Sequence, residues 1–177
     1  MNVAEMTALF DYDEWATRRT LEAVSTVPDA AYLEDLKSSH GGIHGTLVHT
    51  YGAAVVWFSR WNGASPARLT PPGEVAGLDA LKDRWRAYWS DLHAYLGALT
   101  DEMLDRPLAY SDLKGNRQSE PLYQQMQHCI NHATYHRGQV VTLLRQVGAA
   151  PLSTDLVAFY RTRPTRPLGE TLEKKNY

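Results

Sequence analysis

Hydrophobic residues recur every three or four positions along five stretches of the chain. This spacing places them on one face of an α-helix, with polar residues on the opposite face. The stretches cover residues 2–26, 43–62, 77–104, 121–147 and 154–162. The pattern therefore predicts an all-α fold, a four-helix bundle with a short extra C-terminal helix.

The segments between the predicted helices are rich in turn-forming residues. Residues 29–41 predict a polar loop, and residues 64–74 predict a turn-rich linker. Residues 106–122 contain a Lys-Gly-Asn turn and predict a long ordered connection with room for a short hairpin. Connections of this length leave the order of the helices in the bundle open. We expect one domain over residues 1–162 and a mobile, charged tail over residues 163–177.

Composition and charge narrow the classes of function. The 177 residues are 44% hydrophobic and 21% charged, which is typical of a soluble globular protein. The net charge of −2 argues against nucleic-acid binding, which needs a basic face. No apolar run approaches the roughly 20 residues that span a bilayer, and no signal peptide is evident. The single cysteine, Cys129, cannot form an intrachain disulfide, so we expect a cytoplasmic protein without a membrane partner.

Three histidines stand four residues apart in the segment HCINHATYHRGQ, residues 128–139. On a helical wheel, His136 lies about 40° from the middle of the apolar face, His132 about 80° and His128 about 120°. His132 and His136 are therefore the best candidates for a buried pair. Two imidazoles on adjacent turns can bind one metal ion, but a third ligand must come from elsewhere.

Four other histidines could supply the third ligand. His49 lies in the apolar second predicted helix, where small residues on its side leave room beside it. His44 is about 140° from His49 on the wheel, so the two should not share a site. His40 precedes the helix, and we attribute its four-residue spacing from His44 to chance. His93 stands among polar residues, which predicts that it lies at the surface.

Three segments resemble the DinB family, which was first named for damage-inducible proteins. They are FDYDEWA (10–16), GGIHGTLVHTYGAAVVWFSRWNG (41–63) and HCINHATYHRGQVVTLLRQVGAAPLSTDLVAFYR (128–161). The resemblance implies a four-helix bundle, often dimeric, in which three histidines hold a divalent metal ion. Transferred to matching positions, these ligands are His49, His132 and His136.

A metal held by three neutral imidazoles keeps its double charge and at least one open position, as catalytic zinc sites do. Zn, Ni or Fe would accept such ligands. The ion would lower the pKa of bound water toward ~7, or convert a thiol to its thiolate. The resemblance implies a metal-dependent enzyme acting by thiol S-transfer or hydrolysis on a small-molecule substrate, such as a low-molecular-weight thiol. The alternative is a non-catalytic metal-binding stress-response protein that works as a dimer.

Residues around the three ligands have expected roles of their own. We expect His128 to be a reserve ligand or to lie behind the ligands, and Gln139 to donate a hydrogen bond to a ligand imidazole. Arg137 could pair with a carboxylate of a partner or substrate. Trp15 and Trp57 are expected to wall the pocket, and the alternative is that they pack in the core, as aromatic residues at helical spacing more often do. The pattern identifies no catalytic group beyond water or thiolate bound to the metal.

The second predicted helix is apolar around most of its circumference, with Val55, Val56, Trp57, Phe58 and Trp61 on several sides. This is more apolar surface than one bundle core should use, so we expect a homodimer. The alternative is that the linker and the fifth helix cover the excess.

Overall fold

The computed structural model of the protein describes residues 1–163. The predicted mobile tail lies outside the described residues, apart from its first member, Arg163. In chain order the elements are α1 (Val3–Val24), α2 (Asp29–Tyr32), α3 (Ile43–Trp61), a 3₁₀ turn (Pro72–Glu74), α4 (Leu78–Gly97), α5 (Asp101–Asp105), β1 (Pro107–Ser111), β2 (Arg117–Pro121), α6 (Leu122–Gln146) and α7 (Leu156–Thr162).

The four long helices form the predicted bundle, and α7 is the short extra helix. Helix α6 packs against both α1 and α3, and α4 packs against the same two helices on the other side. Around the bundle the order is therefore α1, α6, α3, α4, so that α1 and α3 lie on a diagonal. The connection between these two helices and the one between α4 and α6 both cross the bundle, which explains their length.

Residues 106–122 fold into the short hairpin for which the sequence left room. Strands β1 and β2 are antiparallel, with Pro107 opposite Pro121 and Ser111 opposite Arg117. At the base of the hairpin, Gln125 of α6 donates hydrogen bonds to the main-chain oxygens of Leu108 and Glu120. The buried amide thus fixes the hairpin to the beginning of α6.

Two predicted boundaries were wrong for local reasons. The third long helix ends at Gly97 rather than 104, because the side chain of Thr100 accepts the N–H of Met103 and begins the separate helix α5. The predicted polar loop contains the one-turn helix α2 after Pro28. Its last residue, Tyr32, is buried, which the short and mostly polar segment did not reveal.

Large side chains fill the space between the helices. Trp85 and Trp89 of α4 stack with ring centroids 5.4 Å apart, and Phe10 of α1 meets Trp61 of α3 edge-on at 5.8 Å. Met6, Leu81 and other apolar residues are fully enclosed around them. Within residues 1–163, no helix combines the length and the apolar character needed to cross a membrane.

The apolar circumference of α3 is covered by other parts of the same chain. Phe58 contacts Tyr88 and Tyr95 of α4, with ring centroids 5.8 and 5.7 Å away. Trp57 contacts Tyr110 of β1 at 5.1 Å. The hairpin and α4 provide most of this cover, and the linker packs on α3 near Gly52, as the alternative expected in part. The homodimer stays a prediction. The apolar surface of α3 that suggested it is largely covered within the chain.

A buried ion pair joins α1 to α6. Nη1 of Arg137 lies 2.5 Å from Oδ1 of Asp13, and both side chains are almost fully enclosed. The guanidinium also donates to the hydroxyls of Thr17 and Thr134. Because removal of one partner leaves the other charge buried and unpaired, such a pair is strongly sensitive to single substitutions.

We expect Asp13→Ala to lower the free energy of unfolding by about 3–5 kcal/mol, because Arg137 would lose its counter-ion inside the bundle. Urea denaturation at pH 7 measures the loss. The control is Arg68→Ala, which breaks the exposed pair with Glu74 and should cost less than about 1 kcal/mol. Equal losses in the two variants would show that the buried pair does not hold α1 on α6.

Candidate metal centre

Helix α6 presents His132 and His136 toward α3 on adjacent turns. Their Nε2 atoms lie 3.0 Å apart and form a hydrogen bond. The two rings meet at an interplanar angle of 70°, with centroids 4.3 Å apart. His136 is 4% exposed, so one side of the pair is enclosed by the bundle. The pair predicted from the wheel is therefore brought together.

Helix α3 brings His49 against this pair. Its ring centroid lies 4.6 Å from that of His136 and 5.3 Å from that of His132. Small residues on the same face leave space, and Gly52 lets the linker pass close to α3. A Cβ at Gly52 would lie 3.1 Å from the main-chain nitrogen of Thr70. All three predicted ligands therefore meet at the contact between α3 and α6.

A fourth imidazole, His40, joins the cluster from the loop before α3. Its ring stacks on that of His49 with centroids 3.9 Å apart and an interplanar angle of 16°. The interpretation of the spacing between His40 and His44 as chance therefore missed a member of the cluster. His44 itself points away: its Nδ1 lies 2.8 Å from the Tyr32 hydroxyl, and its Nε2 lies 3.2 Å from the Pro72 oxygen.

Gly41 and Gly45 determine the position of His40 beside α3. Ser38 and Gly41 exchange two main-chain hydrogen bonds of 3.1 and 3.0 Å, which close a tight turn around His40, and Gly41 has a φ of +82°. A Cβ on Gly45 would lie 1.8 Å from the main-chain oxygen of His40, so only glycine admits this approach. The glycines at 41, 42 and 45 were the sequence signal that could have revealed the position of His40.

Two sets of three histidines are candidate ligands, and they differ in having His40 or the predicted His132. The ligating nitrogens of His40, His49 and His136 all lie within 4.8 Å of one another. The stacked rings of His40 and His49, however, hold their in-plane lone pairs in parallel planes, which suits one shared ion poorly. The Nε2 atoms of His132 and His136 share a hydrogen bond, whose proton an ion bound by both nitrogens would displace. Their separation approaches the roughly 3.3 Å between two nitrogens that each lie about 2.0–2.1 Å from a tetrahedral zinc ion.

Gln139 fixes the orientation of His136. Its Oε1 lies 2.7 Å from Nδ1 of His136 and accepts the ring N–H. Gln139 was expected to donate a hydrogen bond to a ligand imidazole. The contact with His136 was anticipated in kind, but the prediction had its direction reversed, because the oxygen of Gln139 accepts. The observed direction leaves the lone pair of His136 on Nε2, the atom that faces the cluster, as a metal ligand requires. The residues present therefore fit a divalent metal ion.

A cavity of about 460 Å³ opens beside the cluster. His49, His128, His132 and Trp57 line it, together with Arg60 and residues of the hairpin. The ring of His128 meets that of Trp57 edge-on, with centroids 5.1 Å apart, and lies 6.0 Å from the ring of His132. The structure thus places His128 and Trp57 in the wall of this cavity.

Two residues expected at the pocket lie elsewhere. Arg137 is enclosed by α1 and α6, where Asp13 is its carboxylate partner, so it cannot pair with a partner or a substrate. Trp15 packs against Phe159 of α7, with ring centroids 5.6 Å apart, and Arg19 lies over its other face at 5.1 Å. Helical periodicity placed both residues on helices, but it did not identify which neighbour each contacts.

Three further side chains lie away from the cluster. His93 lies at the surface, where its Nε2 is 2.7 Å from a carboxylate oxygen of Glu14. Burial raises the pKa of the Cys129 thiol, so this side chain serves as a small apolar group. Asp155 occupies the cap position of α7, although its carboxylate contacts Ser153 rather than the helix amides.

Burial is the main cause that lowers the pKa of the cluster histidines. It lowers the pKa of His49 to about 4 and that of His132 to about 4, and neighbouring imidazoles add to both shifts through charge repulsion. The pKa of His136 is lowered for the same main reason, although its hydrogen bond to Gln139 opposes the shift. The imidazoles are therefore neutral near pH 7, which is the form that binds metal.

These shifts make the stability of chelator-treated protein depend on pH. Below pH 6.5 the unfolded chain protonates His49 and His132, whereas the folded chain keeps them neutral until about pH 4. The free energy of unfolding should therefore be highest above pH 6.5 and fall between pH 6.5 and 4. Urea denaturation at several pH values measures this, and the double variant His49→Gln, His132→Gln should show a flatter profile. Identical profiles would contradict the assignment of these shifts.

Comparisons with known proteins agree with the helical fold. The chain is 24% identical over 154 residues to Protein DinB of Bacillus subtilis (strain 168), covering 83% of this chain and 88% of the relative. The crystal structure of a DinB-like protein from Bacillus cereus ATCC 10987 is 18% identical, with a TM-score of 0.64 over 86% of this chain and 97% of that one. The sequence model of the DinB family matches residues 1–170, and the chain belongs to the DinB family.

Proposed function

We propose that this protein is a divalent-metal-dependent enzyme that acts on a small molecule by thiol S-transfer or hydrolysis. The observation that carries the proposal is a histidine cluster in the wall of a cavity. His49, His132 and His136 would hold the ion, which would be Zn, Ni or Fe. His40 would orient His49 by stacking on it.

The cavity supports an enzyme over the alternative of a non-catalytic metal-binding stress-response protein. A purely structural metal site needs no adjoining space, because its ligands close the coordination sphere. Here two of the proposed ligands, His49 and His132, line a cavity of about 460 Å³, a volume typical of small-molecule sites. A low-molecular-weight thiol or an ester would fit this volume.

The bound ion and the residues around it would have different roles in the reaction. When bound, the ion would act as a Lewis acid that lowers the pKa of water or of a thiol in the cavity. Gln139 would hold the tautomer of His136, and the hairpin would exclude bulk water from one side. His128 lines the same cavity, and burial lowers the pKa of its imidazole, so its ring is neutral, which is the form that can accept a hydrogen bond from the substrate.

We expect one divalent ion per chain, and His49→Ala, His132→Ala and His136→Ala should each lose it, because each removes one of three ligands. Elemental analysis of purified protein measures the content. His40→Ala and His44→Ala are the controls and should retain the ion, since neither is a proposed ligand. Loss in His40→Ala together with retention in His132→Ala would replace His132 by His40 in the ligand set.

We expect metal-loaded protein to turn over one of two substrate classes. With glutathione and an aryl halide, the sulfur–carbon bond would form as the halide leaves; with nitrophenyl esters or anilides, water would cleave the acyl bond. Absorbance of the product measures either rate, and His136→Ala should reduce it to the uncatalysed level. Metal bound without turnover in either class would favour the stress-response alternative.

A further inference from the structure

The last turn of α3 carries a buried cation that the proposed metal chemistry does not use. Arg60 is 5% exposed. Its guanidinium lies between two aromatic rings, 4.5 Å from the centroid of Trp57 and 4.6 Å from that of Tyr110 on β1. It lines the cavity that also contains His49 and His132. The charge therefore stands beside the proposed metal centre, in the same enclosed space.

Arg60 lacks a counter-ion in the described part of the chain. None of the ion pairs formed by residues 1–163 includes it. Its Nε is fully enclosed and has no hydrogen-bond partner among these residues. The nearby carboxylate of Asp112 is occupied by the hairpin turn, where it accepts hydrogen bonds from Lys114 and Asn116.

A buried guanidinium without a carboxylate is costly to maintain. The aromatic faces of Trp57 and Tyr110 compensate part of the lost hydration. They do not satisfy the N–H donors, which lie in the plane of the guanidinium and prefer a planar oxyanion. The other buried arginine, Arg137, has a carboxylate and two hydroxyl partners. The contrast indicates that the partner of Arg60 comes from outside the described chain.

We propose that Arg60 binds a carboxylate of the small molecule that occupies this cavity. The aromatic slot favours a carboxylate on an apolar body, because Arg60 is the buried cation of this lining, Lys114 is exposed at the hairpin tip, and Leu69 and Val56 line the same space. The reactive end of that molecule would lie at His49 and His132, a step that rests on the proposed function. The carboxylate site itself does not depend on metal or on turnover.

Benzoate and benzamide test this site, since they match in size and differ in charge. Binding to chelator-treated and to zinc-loaded protein is measured by saturation-transfer NMR. We expect benzoate to bind both forms at least about tenfold more tightly than benzamide, the value of one charged hydrogen-bonded contact. Arg60→Gln should remove this preference, and Arg60→Lys should retain part of it. The matched control Arg117→Gln, an exposed arginine of β2 that does not line the cavity, should change the Kd for benzoate less than about threefold.

A wild-type measurement covers the case in which the Arg60 variants fail to fold. The Nε–H resonance of Arg60 should move on addition of benzoate and stay in place with benzamide. Equal affinity for the two probes would overturn the proposal, as would benzoate binding that needs zinc and survives Arg60→Gln. Tighter binding of phenyl phosphate than of benzoate would replace the carboxylate by a phosphate. Retained benzoate binding in protein without turnover would reject the enzyme proposal alone.

Discussion

The rotation of α6 about its axis is the constraint on which the site depends. Consecutive residues His136 and Arg137 project about 100° apart on this helix. The pairing of Arg137 with Asp13 holds one of these directions against α1, so the other must face α3. A buried ion pair contributes little net stability, because the desolvation of both charges offsets their attraction. What it can contribute here is a defined orientation, which an apolar contact between the same helices would specify less strictly.

Much of the fold was predictable because each long helix reports its own burial through a period of 3.6 residues. The same period placed His136 inside the apolar face and His132 at its edge, and the small residues on the side of His49 indicated room beside it. The period could not predict which side chains of other helices each residue contacts, since it gives the direction of a side chain within one helix only. Arg137 and Trp15 were correctly placed on helices but assigned to the wrong surroundings for this reason. The one-turn helix α2 is too short to show any period.

The cavity owes its form to elements that carry no periodic signal. Tyr110 comes from β1, and together with Trp57 it encloses the guanidinium of Arg60. The sequence of the hairpin gives little indication of this contact, since its residues are mostly polar and half-exposed. The bundle thus provides the histidines, whereas the hairpin provides a wall that decides what can approach them. Relatives with the same histidines and a different hairpin would therefore differ in the molecules they admit.

Gly45 shows how a residue without a side chain can be as constrained as a metal ligand. The main-chain oxygen of His40 occupies the place where any other residue would carry its Cβ, and Gly42 is crowded in the same way by the main-chain oxygen of Glu34. The loop and the first turn of α3 are thereby interlocked, main chain against main chain. In a survey of tolerated substitutions, positions 42 and 45 would stand out beside the histidines although neither glycine can coordinate an ion. Intolerance at a position near a site can thus reflect the space that the backbone requires, and it need not identify a residue that takes part in chemistry.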